Sequence, residues 1–571
     1  MVNHGPSKGC NTCRARRVKC DEGKPSCQRC IRRDQECGGY ERKPVQIKFK
    51  VQTAANHRQK QKPRKNQTCG ALSTTPPPNL AGSIPPFLEP VERDVALGFF
   101  LTNFAGVGRG LASARGLFEV LAPVLASELP SSAASLAVTA VSTRLFRMWR
   151  HKDIINFEFP HKPHVDALAR LRVSLRDPIE RKSHATTVAA LVLQFYENLF
   201  AVHNLQKASR THHDGAVGLL MSQDQGTPGM AIGNHLLGYI LHSEVSYSIR
   251  SKMPFPAYLH TWILRHPAPM NLSSRLDMVG ISIANLQNSF CRLFCGSNAK
   301  SISPVDIEAL WFDVKSTEAR LLAWLQGMPG HWHPLRLKQV QDAIPPIVTY
   351  IDSCDVYPSV QVAAIWQTWR SYRLLLLKIK LSILQLVPGG MLNTILSGNN
   401  NADKQVDLIC SAEDTVQQLI DSICHSVPFY LGNQNQRVSL PDMTDPSIVH
   451  PSYHHLEPWD ARFIDYMTSD DYMTADAHKA HVVAYGAWHI LNVLTTVLNL
   501  LSEQCGCFLS HALRRGQKEW IQEQFGRASV ILSLKTNKAF HDFEKSRVKS
   551  NDVEEGLVER VREGLRVTSG S

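Results

Sequence analysis

The chain has 571 residues, 43% of them hydrophobic, with 63 Lys+Arg against 50 Asp+Glu for a formal net charge of +13. Residues 1–65 hold 18 basic and 5 acidic side chains, and the other 506 residues hold 45 of each. This excludes the body as a source of the basic excess and places a concentrated positive segment, the footprint of a polyanion-binding module, at the amino-terminal end.

In chain order, the first element is a cysteine array: Cys10-x2-Cys13-x6-Cys20-x6-Cys27-x2-Cys30-x6-Cys37. It is two copies of C-x2-C-x6-C joined by a six-residue loop. Zinc takes four ligands in a tetrahedron, and C-x2-C supplies two of them on one local turn. Two zincs need eight ligand places, so with six thiolates two cysteines must bridge both metals. The repeat predicts a pseudo-twofold binuclear cluster. A disulfide knot would need an oxidising compartment, and Met-Val-Asn-His-Gly-Pro at the start carries no apolar signal segment. A metal store would not need the interleaved arginines. A basic tail serving only nuclear import or membrane contact would not need the cysteines, although Arg42 to Lys65 suits import.

With Arg14-Ala15-Arg16-Arg17-Val18-Lys19 ahead of Cys20 and Pro25 in the loop, this array resembles the fungal C6 zinc-cluster transcription factors of the galactose-regulator type. The resemblance implies two Zn²⁺, with Cys10 and Cys27 as the bridging pair. Each Cys-x2-Cys pair is expected to open a short helix held by metal, because so short a chain folds on zinc binding. The first helix would carry Arg14, Arg16 and Arg17 to the major groove of double-stranded DNA. Arginine can donate twice to guanine O6 and N7. The family reads CGG-like triplets with a basic residue three positions before the third cysteine, here Arg17, where lysine is more usual; a planar fork replaces a point charge. Lys19, Arg29 and Arg32 are the candidates for phosphate contacts.

Residues 41–90 read as a disordered linker, basic and then proline-rich. Residues 38–90 hold eight of the 32 prolines and few large apolar residues. Leu72, Leu80 and Leu88 are eight apart with prolines between them, so the coiled coil that often follows such a cluster cannot run through.

Residues 91–571 are expected to form a large all-α body, making the chain mainly α: a zinc module over 1–40, the linker, then the body. Val188, Leu191, Val192, Phe195, Leu199 and Val202 share one helix face, as do Val165, Leu168, Leu171 and Leu175 ahead of Pro178. A helix of about 30 residues is expected between Pro358 and Pro388-Gly389, with proline at the start and Pro-Gly at the end in the order of helix punctuation. Val482 to Leu501 is uncharged for 20 residues, a length that would span a membrane. But His489, Asn492, Thr496 and Asn499 make a polar stripe along it, which suits a core helix with one wet side and argues against a membrane partner.

The run Ala167-Leu168-Ala169-Arg170-Leu171, through Tyr196-Glu197, to His212-His213-Asp214-Gly215-Ala216 resembles the fungal-specific transcription factor regulatory domain that follows such clusters. That resemblance implies regulation, self-association as a homodimer, coactivators or corepressors, or a small-molecule effector, without catalysis. Cys291 and Cys295, Cys505-Gly506-Cys507, His212-His213 and His454-His455 complete no metal set and read as structural. No phosphate-binding glycine loop, nucleophile elbow or His-Glu zinc helix is present. Residues 459–472 mix acids with aromatics as activation segments do, but lie between helices and read as an ordinary loop.

The reading is a nuclear, zinc-dependent, sequence-specific DNA-binding transcription factor, in keeping with relatives that control metabolic pathways, including secondary metabolism. The alternatives are a metabolite sensor whose body is the main functional unit, and a corepressor scaffold that reaches promoters through partners.

Overall fold

The computed structural model describes residues 9–16, 18–39, 92–106, 113, 115–151, 161–223, 230–266, 268–295, 303–338, 345–396, 401–503, 505–507, 509–534 and 557–562. The expected linker falls outside them. The chain forms two compact units, Met1–Pro86 and Phe87–Ser571.

Among its described residues the first unit holds two short helices, α1 (Asn11–Ala15) and α2 (Gln28–Ile31). In the second, α3 (Glu92–Phe100), α4 (Leu121–Ser127), α5 (Ala133–Arg150), α6 (Lys162–Arg176), α7 (His184–His203) and α8 (Thr211–Met221) come first. They are followed by α9 (Met230–Ser251), α10 (Ala257–Arg265), α11 (Leu272–Phe294) and α12 (Pro304–Gln326). Then come strands β1 (Leu335–Lys338) and β2 (Ser353–Val356), and helices α13 (Val360–Leu386), α14 (Gly389–Ile395), α15 (Asn401–Leu431), α16 (Ala461–Met467), α17 (Ala475–Ser502) and α18 (Gln517–Ile531).

Side-chain caps set where many of these helices begin. Ser132, Ser183, Asn271, Ser303, Ser359 and Thr474 each accept a backbone N–H from the first turn of α5, α7, α11, α12, α13 and α17. Such a cap contributes about 1 kcal/mol. α13 starts one residue after its cap Ser359 and ends two before Pro388, close to the expected bounds. It buries Ile365, Trp366, Trp369 and Tyr372, and α11, α12, α15 and α17 pack around it. Two glycines are fixed by close approach: a Cβ at Gly116 (φ +110) would lie 1.7 Å from the His235 carbonyl oxygen, and one at Gly432 (φ +52) 2.1 Å from that of Val449.

α7 buries the whole face read from the sequence. α6 ends before Pro178 as expected, but its buried face is Ala167, Leu171 and Ser174, and Val165 and Leu175 are exposed. α6 packs on α5 and α7, and their positions choose the face over the apolar periodicity. α7 and α17 are each long and apolar enough to cross a membrane, yet 83% and 78% of their apolar windows are buried inside the body.

Three local features differ from the sequence reading. β1 and β2 pair antiparallel, Leu335 opposite Val356, and are four residues each; Leu335-Arg336-Leu337-Lys338 alternates, but over too short a run to mark a strand. The aromatic-acid stretch 459–472 is built into the fold: it contains α16, Tyr466 is buried against Tyr453, and Asp471 accepts from His331 and, at 2.7 Å, from Trp332 Nε1. Cys295 is bonded to Cys505, 210 residues away, although both read as unpaired structural cysteines.

Candidate zinc centre and nucleic-acid face

The two half-motifs fold alike. In the first, the Cys13 N–H donates to Cys10 Sγ at 3.4 Å; in the second, Cys30 N–H donates to Cys27 Sγ at 3.4 Å, making Cys27 the N-cap of α2. The first cysteine of each pair thus starts its helix, and the second points inward from the first turn. Asp21, in the loop between the halves, accepts from the N–H groups of Gln28 (2.9 Å) and Arg29 (3.1 Å). The Gln28 bond is the main reason its carboxyl lies below the usual range. Thr12 ties the far end of the module back to α1: its hydroxyl donates to the Glu36 carbonyl at 3.1 Å and accepts from Gly38 N at 2.8 Å.

The sulfurs converge into two quartets, Cys10–Cys13–Cys20–Cys27 and Cys10–Cys27–Cys30–Cys37, each with its sulfurs within 4.8 Å of one another. Cys10 and Cys27 are the shared members, the pair that the resemblance named as bridging. Their sulfurs are 3.7 Å apart, Cys10 to Cys30 is 3.8 Å and Cys13 to Cys27 is 3.7 Å. A tetrahedron with Zn–S bonds of about 2.3 Å has edges of roughly 3.8 Å, so these gaps are those of thiolates around zinc. Among the described residues the interior of the module is these cysteines, with Val18 against them.

Burial pushes the Cys10 and Cys13 thiols up to about 12; at Cys30 the Cys27 sulfur and then burial do the same. Crowded thiols therefore resist ionising together, and two dications supply the charge that makes six thiolates tolerable there. The donor set fits zinc in number, type and spacing. Cys13 and Cys20 complete one tetrahedron and Cys30 and Cys37 the other.

The basic candidates sit on the surface of this module. Arg16, Lys19, Arg29 and Arg32 are exposed. Arg29 Nη1 donates to the Lys19 carbonyl at 2.9 Å, which draws the first half-motif to the second, and Arg16 Nη1 donates to Gln35 Oε1. Arg14 lies on α1, although its side chain and the whole of Arg17 fall outside the described residues. The sequence reading missed Thr12 and Asp21 as the residues that position the halves. Both are short polar side chains able to bond backbone groups, Thr12 in the first turn of α1 and Asp21 in the loop, and that is the signal that could have found them.

The histidine doublets are structural. His212 Nε2 lies 3.1 Å from Glu197 and His213 Nε2 lies 2.9 Å from Glu244. His454 Nε2 meets the Met473 carbonyl, and His455 closes a capping box with Ser452.

Comparison with known proteins agrees with this geometry. Residues 8–46 match the fungal Zn(2)-Cys(6) binuclear cluster domain. Transcriptional regulatory protein moc3 of Schizosaccharomyces pombe is 51% identical over 39 residues, 7% of this chain and 8% of that protein. Sterol uptake control protein 2 of Saccharomyces cerevisiae is 57% identical over 35 residues, 6% of this chain and 4% of that protein. The chain thus spans under a tenth of the length of these relatives. No solved structure matches it.

Proposed function

We propose that this chain, whose amino-terminal segment is a fungal Zn(2)-Cys(6) binuclear cluster domain, is a zinc-dependent, sequence-specific DNA-binding transcription factor of RNA polymerase II genes that acts in the nucleus. The observation that carries the reading is the pair of cysteine quartets sharing Cys10 and Cys27. Two zincs there would hold α1 and α2 rigid without an apolar core, and Arg14 on α1 and Arg16 and Arg17 after it in the chain are the residues for the base edges of a CGG-like half-site. Lys19, Arg29 and Arg32 hold the phosphates. Arg29 spends one guanidinium N–H on the Lys19 carbonyl and keeps the others for DNA.

In this reading residues 1–40 are the DNA-binding domain, 41–90 a linker, and 91–571 a regulatory domain controlling a metabolic pathway or gene cluster. The contacts Glu197–His212 and His213–Glu244 and the ion pair Arg210–Asp214 lie in or beside the motif that resembles the fungal regulatory domain. Homodimerisation, coregulators and effector response belong to that body. The test is selection of zinc-loaded full-length protein on a randomised duplex library. Paired CGG-like triplets at fixed spacing identify a dimeric reader, and a single triplet a monomeric one. No enrichment sinks the reading and brings the promoter scaffold forward.

A further inference from the structure

α17 carries its polar stripe into a cavity of about 310 Å³ inside the helical body. His489, Asn492, Thr496 and Asn499 all line it. Ser371 and Gln367 of α13 and Gln287 of α11 face the same space. Gln287 is 7% exposed, and its buried Oε1 has no hydrogen-bond partner. A buried amide oxygen left without a donor costs about 1–3 kcal/mol, which an occupant carrying a hydroxyl donor would recover.

The charge is positive on balance, with Arg562 paired to Glu559 at 3.1 Å. Arg115, Arg250, Lys252 and Arg562 line the cavity with Glu503 and Glu559. Glu503 is already held between Lys252 and Lys378, the latter at 2.6 Å, and Asp277 stands behind His242 at 2.8 Å. Counting the histidines as neutral, these five cations and three carboxylates leave two positive charges in excess. Burial lowers the Arg250 guanidinium to about 10, so it is protonated at neutral pH, and its Nη2 donates to Asn492 Oδ1 at 3.1 Å. Ile249, Leu375, Val493 and Leu500 add apolar wall for a carbon skeleton, which bare phosphate would not use. The last described segment, 557–562, completes the cavity: Val561 is fully buried and Arg562 Nη2 reaches the Arg250 carbonyl at 3.4 Å.

We propose that this cavity binds a small organic acid bearing one or two carboxylates, and that the ligand joins residues 557–562 to the α9–α13–α17 core. It deepens the proposed function by giving the regulator's effector site a chemistry, and rests on that reading only for its biological meaning. The test is titration calorimetry and thermal unfolding of full-length zinc-loaded protein with acetate, succinate, malate, inorganic phosphate and uncharged succinamide. At least one carboxylate should bind with micromolar Kd and slow amide exchange at 557–562. Arg562→Gln, at the rim, should weaken it at least tenfold, and Gln287→Leu should weaken malate, whose hydroxyl can donate to Gln287 Oε1, while leaving succinate, which has no donor, unchanged. Phosphate binding above every carboxylate, succinamide binding as well as succinate, no binding by any carboxylate, or unchanged affinity in Arg562→Gln would each overturn the proposal. DNA affinity of the same samples is read separately, so its loss marks failure of the DNA reading alone.

Discussion

Removing a shared cysteine should empty both zinc sites, whereas removing an unshared one should empty one. Cys27 belongs to both quartets and its sulfur lies 3.7 Å from those of Cys10 and Cys13, whereas Cys20 belongs to one quartet. Cys27→Ala therefore leaves each zinc with three thiolates, and Cys20→Ala leaves the Cys10–Cys27–Cys30–Cys37 set complete. Structural zinc contributes on the order of 10–16 kcal/mol in zinc-finger peptides, far beyond what a module with only cysteines and Val18 inside can replace. Native mass spectrometry of full-length protein should count two zincs in the parent, one in Cys20→Ala and none in Cys27→Ala. The DNA affinity of Cys27→Ala should fall to the level of the chelator-treated parent. Equal zinc counts in the two variants would refute the bridging assignment, and with it the argument that spacing dictates a shared pair.

The division of DNA contacts predicts two signatures. Arg17→Ala should cost about 1–3 kcal/mol at one base position, while Lys19→Ala should weaken all sequences alike and flatten the slope of log K against log salt by about 1. Competition assays across salt concentrations separate them, and identical behaviour of the two variants would count against the assignment. Burial pushes His450 and His478 down to about 3, with nearby His478, Lys479 and Arg527 adding at the first and His454 and His455 at the second. Each stays neutral in the fold and protonates on unfolding, so its contribution is complete above the unfolded histidine pKa near 6.5 and is lost as pH falls from there towards 3. From pH 7 to 5 the loss is about 2 kcal/mol per residue. Tryptophan fluorescence reads it from the body alone, because all ten tryptophans lie at or after Trp149. His478→Phe should reduce the drop by about 2 kcal/mol, and an unchanged pH slope would contradict the assignment.

What could be read from the sequence alone was set over short distances. The zinc ligands are legible because each Cys-x2-Cys pair is one turn of chain, and the ligand count then forces two shared thiolates. α7 is legible from its apolar periodicity and α13 from the prolines that punctuate its ends. The excess of charge in residues 1–65 needs no folding to be seen. The rest depended on neighbours brought together by folding. The exposed Val165 and Leu175 on α6 have the right periodicity for a core, but α5 and α7 cover a different face. The Cys295–Cys505 bond joins residues 210 apart that no local spacing relates. The polar stripe of α17 was visible as a pattern, yet its purpose was not. Whether such a stripe meets water, another helix or a ligand is decided by what α9, α11 and α13 place opposite it, and periodicity along one helix carries no information about that.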